Sequence, residues 1–313
     1  MLLSIFFIIV GFALLIVSAD LLVDGASGIA RKFHIPEIII GLTIVSIGTS
    51  MPELFVSITS ALDGYSDMAI GNIIGSNLSN LLLILGLSAI IKPVVFQKET
   101  RLYEIPMCLI FTIILMCFCN SENGISREEA IILLLLFCFF IGYTIFMGKR
   151  ESKNSIIEIN VNESKKNNTI KDIILIVLGI VGLKIGGDLA VNNAVDVANY
   201  FNISEKIISL TILAVGTSLP ELVTSVTAAI KGNSDIAIGN IIGSNIFNIL
   251  GVSALIKPIT YNVTYNFDLS ILLLSTIILA IFPFIPPKEK MSRSNGIIYF
   301  LMYIVYLIVL CVK

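Results

Sequence analysis

Histidine is all but missing from this chain: His34 is the single one among 313 residues. That leaves little for a metal centre built on imidazole, or for a Ser/His catalytic pair. No HExxH motif is present. Cysteine is scarce as well. The five, Cys108, Cys117, Cys119, Cys138 and Cys311, form no CxxC pair and lie in apolar stretches, where a free thiol packs as a small hydrophobe. Charge is also in short supply. Asp, Glu, Lys and Arg make up 13% of the chain, about half the roughly 25% of soluble domains. The 20 basic and 22 acidic residues nearly cancel, so no strongly charged partner is indicated. Together these shortages exclude a soluble enzyme, a nucleic-acid binder and a disordered tail.

What remains is apolar. Nine apolar residue types account for 56% of the chain, and the mean hydropathy is +0.98. One helical crossing of a bilayer core takes about 20 residues. Spans are predicted near 2–25, 36–62, 68–91, 104–119, 128–148, 172–198, 205–230, 235–256, 268–286 and 294–312. The fold class is therefore an all-α membrane protein of ten transmembrane helices. Met1–Ala19 lacks the basic start of a signal peptide and reads as the first retained span. The longest polar stretch runs from Lys149 to Thr169. It divides the chain into a first half, 1–148, a linker, 149–171, and a second half, 172–313. Sorting Lys and Arg by alternate loops puts 15 on one side and 4 on the other, with Lys184 inside a span. The positive-inside rule then places the linker in the cytoplasm and both termini outside a plasma membrane.

The two halves repeat each other. A shift of 168 residues lays 38–80 on 206–248 without a gap, with 27 of 43 positions identical. G-T-S-M-P-E at 48–53 matches G-T-S-L-P-E at 216–221, and A-I-G-N-I-I-G-S-N at 69–77 matches 237–245. Asp20 falls on Asp188 with the same shift. Five spans is an odd number, so the second half enters the membrane in the opposite sense. Two inverted five-helix repeats are an architecture of secondary transporters, with the binding site at the midplane.

The repeated motifs carry oxygen ligands to that depth. Glu53 and Glu221 lie deep in the second and seventh spans, where a carboxylate is costly and functional by default. Pro52 and Pro220 deprive the carbonyls four residues earlier, Gly48 and Gly216, of their helical donors. Thr49 and Ser50 share the face of Glu53, and Thr217 and Ser218 that of Glu221. In the next span Asn72, Ser76 and Asn80 recur every fourth residue, as do Asn240, Ser244 and Asn248. Gly71, Gly75, Gly239 and Gly243 read as sites of close helix packing. Asn77 and Asn245 point elsewhere and read as bonds to neighbouring helices. With no sulfur or imidazole, such a site suits calcium or sodium. Two ionised Glu carry −2, which one calcium or two sodium ions neutralise. Asp20, near the far end of the first span, reads as an interfacial cap. Lys184 and Asp188 read as an intrahelical ion pair.

The two G-T-S-x-P-E motifs, each followed by G-N-I-I-G-S-N, resemble the paired alpha repeats of the sodium/calcium exchanger family, within the cation/calcium exchanger superfamily. The resemblance covers essentially the whole chain. It implies ten helices, alternating access with the first and sixth helices sliding, and sodium entry driving calcium export. It implies ion ligands at Thr49, Ser50, Glu53 and Ser76, and at Thr217, Ser218, Glu221 and Ser244. The carbonyls of Ser46 and Ala214 match sodium-ligating positions, and Asn80 and Asn248 complete the ring. Archaeal-type and potassium-dependent members can carry Asp at the position of Asn248, so stoichiometry and any potassium dependence stay open. The run Gly75–Leu82 also resembles the proton/calcium exchanger branch. Competing readings are thus a proton-coupled cation exchanger and a cation channel; an intramembrane enzyme lacks its motifs. The chain is taken as a monomer with calcium, sodium and lipid as its partners, and with no cofactor.

Overall fold

The computed structural model describes residues 1–121, 124–158, 169–201, 214–255, 260–286 and 288–312. It is nearly all helix. We number the helices α1 (Leu2–Phe33), α2 (Glu37–Thr49), α3 (Met51–Leu62), α4 (Ser66–Ile91), α5 (Thr100–Cys119) and α6 (Arg127–Glu158), then α7 (Thr169–Tyr200), α8 (Leu219–Lys231), α9 (Ser234–Leu255), α10 (Val263–Phe284) and α11 (Arg293–Val312). Among the described residues, eight helices are long and apolar enough to cross a membrane; α2 and α3, bent by 47° at Ser50, make a ninth as one broken span. The expected span at 205–230 lies partly outside the described residues; its described part is the turn Ala214–Gly216 followed by α8.

Helix ends follow local chemistry. α1 continues to Phe33, well past the predicted residue 25, and stops where His34 takes a left-handed φ of 53°. α6 runs on to Glu158 and α7 starts at Thr169, so helix enters the expected linker from both sides, and its residues 159–168 lie outside the described residues. One feature departs from an all-helical reading. Val94–Val95 pairs antiparallel with Lys290–Met291, and Phe96 N–H donates to the Glu289 carbonyl at 2.8 Å. Two loops that cross near each other satisfy their backbone groups this way.

Side-chain bonds sort the loops into two ends. At one end Arg101 pairs with Glu289 at 3.0 Å, Lys231 with Asp20 and Asp24, and Lys32 with Thr169. At the other, Asn120 and Asn266 exchange amide bonds at 2.9 and 2.8 Å, and Tyr265 Oη donates to the Asp67 carbonyl at 3.0 Å. The first end gathers the lysine-rich loops. Asp20 lies at this end, within α1 and half-exposed, and is held by Lys231 at 2.6 Å. Lys184 and Asp188 form the expected pair, at 2.7 Å.

Two layers build the core. α4 and α9 are the most enclosed helices, wrapped by α5, α6, α10 and α11, whose outer faces present residues such as Ile110, Leu135, Leu274 and Leu301. α1 and α7 pack as a long pair around Leu15, Ala19, Leu22 and Leu183, and the same cluster takes in Val45 of α2, Ala228 of α8 and Ile236 of α9. Glycines permit their approach: a Cβ on Gly186 would lie 2.9 Å from the Gly11 carbonyl, and one on Gly179 2.8 Å from Leu22. In bilayers, such small-residue contacts replace the hydrophobic driving force between helices. The halves also match where their sequences diverge. Tyr143 Oη donates to buried Glu104 at 3.0 Å, and Tyr306 Oη to buried Asp268 at 2.9 Å, each tying the fourth helix of a half to its fifth.

The glycine expectation holds at Gly71, Gly239 and Gly243 but not at Gly75. A Cβ at Gly239 would fall 2.7 Å from the Ile38 carbonyl and 2.9 Å from Leu42 N, whereas one at Gly75 meets nothing within 4 Å. Gly75 faces a cavity instead. Gly239→Ala should therefore cost about 1–3 kcal/mol by overpacking, while Gly75→Ala should be neutral or slightly stabilising. Melting curves of the purified variants in detergent measure the contrast.

Candidate functional site

Two helix breaks face each other at the centre of the bundle. Each break is written by Ser-x-Pro-Glu. Proline lacks an N–H and fits only the first turn of a new helix. Pro52 accordingly opens α3, Pro220 opens α8, and the preceding Ser50 and Ser218 leave helical geometry (φ −85°, ψ 9° and φ −89°, ψ 7°). The pattern Ser-x-x-Glu is also that of a capping box, in which serine and glutamate bond their own helix end. Neither serine does so. Instead Ser50 Oγ donates to Glu221 Oε1 at 2.7 Å, and Ser218 Oγ to Glu53 Oε1 at 3.2 Å. Each half supplies the hydroxyl for the other half's carboxylate.

Both carboxylates are out of solvent, Glu53 at 1% exposure and Glu221 at 0%. Among the described residues the ion pairs lie elsewhere, at Arg101, Lys184 and Lys231, so no basic side chain neutralises either one. Asparagines brace the breaks from behind. Asn72 Nδ2 donates to the Glu53 carbonyl at 3.1 Å and to Ser57 Oγ at 2.9 Å. Asn240 Nδ2 repeats this toward the Glu221 carbonyl at 3.5 Å and Ser225 Oγ at 2.9 Å. Ser57 and Ser225 were not singled out from sequence. Their signal was available: both lie four residues after the glutamate and are identical in the two halves.

The remaining predicted residues gather here. Ser46 and Thr49 end α2; the Ser46 carbonyl accepts from Ser50 N at 3.0 Å and from Ser244 Oγ of the other half at 3.4 Å. Thr49 Oγ1 donates to Asn240 Oδ1 at 3.0 Å. Ser76 faces the Glu53 carboxylate. The Ala214 backbone begins the turn that leads to Thr217. Asn80 and Asn248 sit in π-helical stretches, Ser79–Leu85 and Phe247–Val252. Such widened turns mark functional positions and re-aim side chains. Asn248 Nδ2 donates to Asn77 Oδ1 at 3.3 Å and Asn245 Nδ2 to the Asn77 carbonyl at 3.4 Å, so Asn77 and Asn245 do join the two central helices.

Several buried oxygens are left without hydrogen-bond partners: Glu53 Oε2, Glu221 Oε2, Thr217 Oγ1, Asn80 Oδ1 and Asn248 Oδ1. Leaving a buried acceptor unpaired costs about 1–3 kcal/mol, more for a charged group. A cluster of them is the donor set of a hard cation. Carboxylates alone do not make it, since no three His, Cys, Asp or Glu side chains cluster among the described residues. The set is two carboxylates plus hydroxyls, amides and carbonyls.

The two halves are not in the same state. The bond from Thr49 to Asn240 has no counterpart from Thr217 to Asn72. Thr217 and Asn72 instead line a cavity of about 800 Å³ with Ser76, Pro52 and Pro220. It runs past Lys184, Asp188 and Tyr265 toward the end that carries Asn120 and Asn266. On the opposite side Gly239 and Gly243 close tightly on residues 38–46. A path therefore connects the centre to one end of the bundle.

The profile of a family described as "Sodium/calcium exchanger protein" matches residues 3–146 and 171–312. The chain is 38% identical to the inner membrane protein YrbG of Escherichia coli, over 90% of this chain and 89% of that one. It is 30% identical to the sodium/calcium exchanger MaX1 of Methanosarcina acetivorans, over 97% of both chains. Among solved structures it is similar to the sodium-calcium exchanger NCX_Mj, with a TM-score of 0.83 and 31% identity over 97% of both chains.

Asn240 is the most heavily bonded side chain of the site. Asn240→Ala strips donors from Glu221 and Ser225 and an acceptor from Thr49, and should destabilise the protein by about 1–3 kcal/mol. Denaturation in detergent measures the loss.

Proposed function

The chain belongs to the sodium/calcium exchanger family, and from that premise we propose that it is a secondary antiporter in which inward sodium flow drives calcium out of the cell. The observation that carries the reading is the reciprocal pairing of Ser50 with Glu221 and Ser218 with Glu53 around carboxylates that no basic residue among the described ones neutralises. The cations that neutralise them are then the cargo.

On this reading the ten helices form two inverted five-helix repeats, 1–148 and 172–313, joined by a cytoplasmic linker at 149–171, with both termini outside. The paired loop ends and the lysine bias support that orientation. The ligands are Glu53 and Glu221, the hydroxyls of Thr49, Ser50, Ser76, Thr217, Ser218 and Ser244, the amides of Asn80 and Asn248, and the carbonyls of Ser46 and Ala214. All are oxygen, the donor type that calcium and sodium prefer. Calcium satisfies both charges at once; sodium ions do so one at a time. An emptied site keeps two uncompensated charges in a low dielectric, which opposes crossing unloaded. That opposition couples the two flows. Calcium, sodium and lipid are the partners, the working unit is one chain, and no cofactor takes part.

Proteoliposomes loaded with sodium should take up calcium when external sodium is removed. Uptake that ignores the sodium gradient and follows a pH gradient would establish proton coupling instead. Uptake with no counter-ion would establish a channel. Glu53→Gln and Glu221→Gln should each lower sodium-driven uptake roughly a hundredfold, equivalent to about 3 kcal/mol of lost charged ligation. Exchange at the wild-type rate in either variant overturns the site.

A further inference from the structure

α1 and α7 are equivalent under the 168-residue shift, yet they are anchored differently. At the lysine-rich end Lys231, the last residue of α8, reaches across to α1. Its Nζ lies 2.6 Å from Asp20 Oδ1, 2.7 Å from Asp24 Oδ1 and 3.2 Å from the Asp20 carbonyl. Two residues on, Asn233 Nδ2 donates to Ser27 Oγ at 2.7 Å. Five side chains thus fasten α1 across the mouth of the closed end.

The equivalent residues at the other end cannot make this clasp. Under the same shift Lys231 corresponds to Asp63, and Asn233 to Tyr65. Asp20 corresponds to Asp188, Asp24 to Asn192 and Ser27 to Val195. A carboxylate stands in place of the bridging lysine, and Tyr65 and Val195 stand in place of the amide and the hydroxyl. Lys184 offers no substitute bridge, because it is held by Asp188 on its own helix. Asp63 and Tyr65 are exposed, and Asp188 and Asn192 line the open cavity. The end with the clasp is the closed one, and the end without it is open.

We propose that the Lys231–Asp20–Asp24 clasp is a latch that holds the lysine-rich end shut and so sets the resting state of the protein with its cavity open at the other end. This rests on the inverted-repeat reading, in which the opposite state is reached when the halves exchange conformations. Closing the unlatched end brings Asp63 toward Asp188, two like charges. The two end states are then unequal in energy even though the central site is nearly symmetric. Ion pairs of this exposure are individually modest, and a conformational equilibrium is sensitive to that scale.

The test reports opening of the latched end. Val191 lines the open cavity and Val23, its equivalent on α1, is fully buried. A thiol at Val23→Cys is reached by a polar thiol reagent only when the latched end opens. Labelling of this variant, with the parent chain as blank for native cysteines, should rise on the order of fivefold when Lys231→Met is added. Lys231→Arg should hold the original rate. Asp63→Lys, which installs a partner for Asp188 at the opposite end, should raise Val23→Cys labelling as methionine does. An unchanged rate in Lys231→Met or in Asp63→Lys overturns the latch, as does a rise in Lys231→Arg equal to that in Lys231→Met. Labelling does not depend on which ion drives transport. Failure of sodium-driven uptake with these shifts intact would therefore count against the proposed exchange and not against the latch.

Discussion

Two buried carboxylates, with no basic residue among the described ones to neutralise them, are the constraint from which the rest of this structure follows. Protein chemistry rarely leaves a charge in that position, because an unpaired ion in a low-dielectric interior costs several kcal/mol. Here hydroxyls do the holding. Ser50 and Ser218 reach from one half to the glutamate of the other, and so spend the bonds that would have capped their own helices. A hydroxyl orients a carboxylate without cancelling its charge. The unbalanced charge is what a transported cation is proposed to answer.

The surrounding fold keeps that arrangement rigid. Proline forces the breaks at Ser50 and Ser218, and Asn72 and Asn240 pin the loosened backbone just beyond them. The π-helical stretches carry Asn80 and Asn248 to the same depth. Glycines at 239 and 243 bring α9 against α2 until backbones touch. The α1 and α7 pair packs against α2, α8 and the start of α9 through Ile40, Val45, Leu219, Ala228 and Ile236, and Lys231 adds an ionic tie at one end. A hydrogen-bonded centre flanked by a glycine-packed helix pair is a suitable frame for moving access from one side to the other.

Much of this was legible in the residues. Depth in an apolar span marks Glu53 and Glu221, and the gapless repeat marks their neighbours. What escaped did so for physical reasons. Ser-x-x-Glu is a local pattern, and nothing local reveals that its bonds are traded between halves 168 residues apart. Ser57 and Ser225 are small polar residues whose meaning comes only from the asparagine opposite. Glu104 with Tyr143 and Asp268 with Tyr306 repeat a geometry while changing residue type and register, so an identity search passes over them. Gly75 and Gly243 share one motif but not one environment, because packing there depends on the conformation of the whole protein. Asp20 reads as an isolated interfacial acid until Lys231, 211 residues away, is brought beside it.

The central claim is that one pair of carboxylates holds either ion, in turn. Equilibrium binding of radioactive calcium to the purified protein, titrated with sodium, tests it most directly. The account predicts one calcium per chain at saturation, displaced completely by sodium, with displacement steeper than a single sodium ion would give. Calcium that stays bound at saturating sodium would contradict it, as would two calcium ions per chain held with equal affinity.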